Sequence, residues 1–143
     1  MKKYFVAAVL AGSSFTGVLF AQKSISVPEV VKTSFTQKYP SATHVIWEKE
    51  NGNYEANWGG KSNEDNSAIF TPSGAFIEIA KAISVKDLPG SATNYIKNHY
   101  KNAVVNEAAL VTDAKGKISY EAEVNHKDVV FDKNGNFVKT EKE

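Results

Sequence analysis

Glu48 and Glu55 stand at matched distances on either side of the dipeptide Asn51-Gly52. If that dipeptide turns a hairpin, two carboxylates face each other, a geometry that could hold a cation or, by raising one pKa, run acid–base chemistry. No histidine or third acid is spaced to complete such a site, and a solvated sheet face beside Lys49 accounts for the pair as well. Glu121 and Glu123 have the same two readings. The run Asp132-Lys-Asn-Gly-Asn136 carries oxygen ligands around a tight turn. An EF-hand loop, however, needs glycine at its sixth position and a bidentate glutamate at its twelfth. Counted from Asp132, Gly135 is fourth and Glu143 is twelfth, so a hairpin turn explains these residues. His44, His99 and His126 have no second His or Cys at metal-ligand spacing. The chain has no cysteine, and no Gly-x-Ser-x-Gly elbow presents a serine. No catalytic residue, metal ligand or cofactor is therefore assigned.

Composition narrows the partners further. The formal net charge is +1 and every basic residue is lysine. Without arginine the planar fork suited to phosphate and base recognition is missing, which argues against a nucleic-acid partner. The first residues, MKKYFVAAVLAGSSFTGVLFAQ, place two lysines before an apolar stretch that ends at Ala21. That order predicts a secretory signal peptide over 1–21, rather than a membrane anchor, because the apolar run is short for a span and holds polar residues. With no cysteine to carry a lipid, the expected product is exported to the periplasm or beyond, without a membrane attachment after cleavage.

The elements that must position any site come from an internal repeat. Tyr-Glu-Ala occurs at 54–56 and again at 120–122, and residues 27–42 align with 88–103 at a constant offset of 61. Pro28 falls on Pro89, Phe35 on Ile96 and Tyr39 on Tyr100, while Phe70 and Phe76 fall on Phe131 and Phe137 at the same offset. A repeat at fixed spacing predicts two structural units, here 22–87 and 88–143, fused as one domain.

Each unit starts with a helix. Proline suits a first turn, and Val27, Val31, Phe35, Tyr39, like Leu88, Ala92, Ile96, Tyr100, recur every four residues along one stripe. Pro40 stops the first helix, and the second is expected to end near Asn102. Strands follow. Asn51-Gly52 predicts a two-residue hairpin that pairs Lys49 with Tyr54, Trp47 with Ala56 and Val45 with Trp58. The equivalent hairpin around residues 114–117 fits either a two- or a three-residue loop. Thr71-Pro-Ser-Gly and Asp132-Lys-Asn-Gly each start a turn that glycine closes as a bulge. The predicted fold class is α+β: a tandem repeat of a helix and four antiparallel strands, forming one extended sheet with its helices on one face.

In that register Phe70 opposes Phe76 and Phe131 opposes Phe137, with Ile69, Ile77, Ile79, Val130 and Val138 on the reverse face. Two outcomes are open. Either the four phenylalanines lie on the uncovered face, where with Trp58 they would form a binding surface, or they are the helix-covered core.

The Trp47 strand, the Gly-then-Tyr-Glu-Ala strand and the Phe-x-x-x-Gly-x-Phe hairpins together resemble the secreted bacterial PepSY-like, β-lactamase-inhibitor-like family over about residues 27–137. The resemblance implies tandem α-plus-β units in one antiparallel sheet, an envelope or extracellular location, and a binding or inhibitory role. It brings no set of functional residues. β-Lactamase inhibitor proteins use disulfides, and this chain departs from them in having no cysteine. The expected function is a non-catalytic binding module that inhibits or regulates another protein, with a small-ligand or cation-binding envelope protein as the alternative.

Overall fold

The computed structural model describes residues 25–142, so the expected signal peptide lies outside the described residues. The first helix, α1 (Glu29–Lys38), begins directly after Pro28, whose carbonyl accepts from the backbone N–H groups of Val31 and Lys32. It ends at Tyr39, one residue before Pro40, whose ring forbids another turn. Four strands follow: β1 (Ile46–Glu50), β2 (Asn53–Trp58), β3 (Asn66–Phe70) and β4 (Phe76–Ile83). A short 3-10 turn, Val85–Asp87, leads into α2 (Gly90–His99), which ends three residues earlier than the sequence suggests. The last four strands are β5 (Val105–Asp113), β6 (Ile118–Val124), β7 (Lys127–Asp132) and β8 (Phe137–Lys142).

All eight strands form a single antiparallel sheet in chain order, two four-stranded meanders joined through α2, with β1 and β8 at its edges. Asn51-Gly52 turns as expected, with both residues at positive φ, and sets Lys49 opposite Tyr54 and Trp47 opposite Ala56. Val45 lies just outside β1, so its expected pairing with Trp58 is not part of the ladder. The hairpin that the sequence left open closes around a three-residue loop. Asp113 N–H donates to the Lys117 carbonyl and Gly116 N–H to the Asp113 carbonyl, each at 3.0 Å. The same two bonds recur at Thr71/Ala75/Gly74 and at Asp132/Asn136/Gly135.

Register places both helices on one face. Val31 and Phe35 of α1 share a cluster with Tyr54, Ala56, Ala68, Phe70 and Ile79. Ala92 and Ile96 of α2 share another with Ala108, Ala122, Val124, Val129 and Phe131. Ile79 and Ile83 point to the same side of β4 by the period of two, and Ile83 is opposite Ala108. The two clusters therefore lie under their helices on the same side of the sheet.

This arrangement decides between the two outcomes left open for the phenylalanines and corrects one expectation. Phe70 and Phe131 are 1% and 0% exposed within these clusters, so these two are helix-covered core and the four phenylalanines do not form an uncovered patch. Ile79, expected on the reverse face, joins the helix-covered side because a bulge after Phe76 pairs Ile69 with Glu78 and shifts the alternation by one.

Candidate functional site

The phenylalanine pairs and Trp58 belong mainly to the core. Phe35 of α1 meets Trp47, Trp58 and Phe70 edge to face, with centroids 5.2, 5.1 and 6.1 Å away. Trp58 is partly covered and also lies 4.9 Å from the Tyr39 ring. Phe76 is half-buried against Phe70, and the Lys38 ammonium sits 4.2 Å above its ring. Phe137 keeps 40% of its surface exposed and stacks on Tyr95 at 4.6 Å, with His99 on the other face of Tyr95 at 3.9 Å. Of the five residues for which a binding surface was one of the two open outcomes, Phe137 alone is exposed.

The polar candidates also separate. Glu48 and Glu55 are cross-strand partners, as the Asn-Gly turn requires, but Glu48 is exposed while Glu55 is buried and accepts from the Ser67 hydroxyl. Glu123 accepts from Asn106 Nδ2 at 2.8 Å. Asp132 is used up by its own turn: one carboxylate oxygen accepts from the N–H groups of Asn134 and Asn136, the other from Asn136 Nδ2. The hydrogen bond from the Asn136 side chain, followed by that from its backbone, holds the Asp132 carboxyl below the usual carboxylate range. Asp113 repeats the turn. Its carboxyl is lowered first by the Lys117 backbone N–H and then by that of Lys115. His44 and His126 sit at positive φ in exposed loops, and His99 is on α2, so the three histidines stay apart.

What the register does assemble lies on the face away from the helices. Val111 is opposite Ser119 and Ser119 opposite Asp132; Glu121 is opposite Val130 and Val130 opposite Lys139; Glu78 is opposite Asp113. These rows border a groove of about 400 Å³ that crosses β4 to β8. At its edge Val138 is 54% exposed. The Lys139 ammonium donates to Glu141 Oε1 at 2.6 Å. That bond, with the fields of Glu141, Glu121 and Glu78, raises the Lys139 pKa and keeps the ammonium charged. Among the described residues no group of three or more His, Cys, Asp or Glu is placed to hold a metal ion. The groove is thus a mixed-charge slot with a valine floor, chemistry suited to recognition through ion pairs and apolar contact.

One eight-stranded antiparallel sheet with both helices on one side and the slot on the other defines a small α+β protein. The family model described as "Putative beta-lactamase-inhibitor-like, PepSY-like" matches residues 22–60 and 59–139, and the chain belongs to that family. A DUF2874 family protein from Bacteroides ovatus is 22% identical, with 81% of this chain and 87% of that one covered at a TM-score of 0.66. A BLIP-like protein from Bacteroides fragilis is 17% identical, with 82% and 86% covered at a TM-score of 0.63. A "putative periplasmic" protein from Bacteroides eggerthii is 16% identical, with 81% and 88% covered at a TM-score of 0.69. At these identities the likeness establishes the shared fold. A comparison with the curated proteins found no match.

Proposed function

We propose that this protein is a non-catalytic binding module of the cell envelope that docks another envelope protein in the groove over β4 to β8 and thereby inhibits or regulates it. The observation that carries the reading is the slot itself. Five strands bring apolar Val111, Val130 and Val138 next to the charged Lys139 and Glu121 in one concave surface. The family's inhibitor-like description and the periplasmic description of the B. eggerthii relative support both the role and the location. In this reading residues 22–87 and 88–143 are two tandem units of one helix and four strands. Joining them end to end makes a sheet wide enough to carry the slot.

The reading is tested by co-purification from the envelope fraction of the native cell. A partner retained by the wild type should be lost from Val138→Arg, which fills the slot from an exposed position, and kept by Val104→Arg, whose site is 60% exposed and away from the slot. Equal retention by both variants, or retention of metal ions or small molecules with no protein, would overturn the docking reading.

A further inference from the structure

The sequence Asn-Gly-Asn occurs twice, at 51–53 and at 134–136, each time at a hairpin turn. In any Asn-Gly pair the glycine backbone nitrogen can attack the asparagine side-chain carbonyl, because no Cβ shields it. The two copies share their local chemistry and differ in what the fold does to them. Gly135 is buried and its N–H donates to the Asp132 carbonyl at 2.9 Å. Asn134 is held at both ends, its N–H on Asp132 Oδ1 at 2.8 Å and its carbonyl accepting from Ser91 Oγ of α2 at 2.6 Å. Opening that turn means breaking the contact with the helix. Asn51 and Gly52 are both exposed, and a methyl group built on Gly52 would touch nothing within 4 Å. Both hairpins lie at an edge of the sheet, β1 pairing with β2 alone and β8 with β7 alone, so what sets the two turns apart is the contact of the Asn134 turn with α2.

We infer that Asn51-Gly52 is a self-modifying site, and that its conversion releases the edge strand β1. The Gly52 nitrogen, after losing its proton to base, forms a bond to Asn51 Cγ, and the side-chain nitrogen leaves as ammonia. Water then opens the resulting five-membered imide at either carbonyl, giving aspartate or isoaspartate. The balance is one water consumed and one ammonia released, with no oxidation or reduction. Isoaspartate adds one carbon to the main chain and a negative charge at the turn. A two-residue turn has no slack for the extra atom, so the register Lys49 with Tyr54 and Trp47 with Ala56 is broken. Trp47 then withdraws from Phe35, and β1 becomes a frayed edge. Asn134 is protected from the same chemistry by α2.

The experiment incubates the purified protein at mildly alkaline pH, once in native buffer and once in concentrated urea, and follows both sites by peptide mass spectrometry. Local opening controls the folded rate, so Asn51 is expected to gain about 1 Da at least ~10-fold faster than Asn134 in native buffer. In urea the two rates should converge to within about twofold, because the tertiary protection is gone. Asn134 reacting as fast as Asn51 in the folded protein, or no native conversion of Asn51 over a time that converts it in urea, would overturn the site. The converted fraction, separated by ion exchange, should show faster amide hydrogen exchange across β1. Unchanged exchange there would overturn the release of the strand.

Discussion

Gly135 shows how far a single residue can bear on the fold. Its φ of +79° lies in the left-handed region, and a Cβ there would stand 2.6 Å from Pro89 Cβ and 3.1 Å from the Ala92 nitrogen. Gly135→Ala is expected to cost roughly 2–5 kcal/mol, the backbone penalty plus overpacking. Gly52→Ala meets open space and should cost only the backbone part, about 1–2 kcal/mol. Urea melts with unchanged slopes would verify the order, and equal costs would contradict it. Ionisation supplies a second test. The Asp132 carboxyl is lowered by its turn, so its contribution is present above the ordinary carboxylate pKa and is lost as pH falls through the folded value. The stability gap between wild type and Asp132→Ala should therefore be full at neutral pH and shrink in acid. Tyr39 behaves in the opposite sense. Burial pushes its phenol up to about 12, so that stabilisation is whole below the ordinary value near 10 and fades as pH climbs toward 12. An ultraviolet titration in which all tyrosines ionise together near their ordinary value would contradict the burial.

At the scale of elements, α1 is attached to its half of the sheet chiefly through Phe35, which is 4% exposed among four other rings. Phe35→Ala should cost about 3–5 kcal/mol, measured by thermal or urea unfolding. This much was legible beforehand. Val31 and Phe35 repeat at helical spacing, Pro40 stops the helix, and Asn51-Gly52 sets the first register, all of them strong local signals. Other features left little trace. The turn between β6 and β7 puts Asn125 and His126 at positive φ without a glycine to announce it. The bulge that moves Ile79 to the core depends on how two strands pair, which no single stretch of sequence shows. The groove was hidden for the same reason. Its residues come from five strands and become neighbours only once every register is set, whereas the aromatic residues singled out by type were answering to the core.

For the whole molecule, the sheet carries two apolar clusters under two helices and a small third one, Ala80, Ala109 and Val111, at the seam between β4 and β5. Phe35 and Phe131 lie in different clusters, so their alanine substitutions should add to within about 0.5 kcal/mol. A larger coupling would mean that the seam transmits packing changes from one half to the other. Splitting the core in this way leaves the sheet's other face to present the slot, and the function proposed for the protein rests on that face. The most direct measurement is photo-crosslinking in intact cells, with a photoreactive side chain placed at Val138 in the slot or at Val30 on α1, both exposed. The account predicts one discrete protein adduct from position 138 and none from position 30. An adduct from position 30 alone, or none from either, would contradict it.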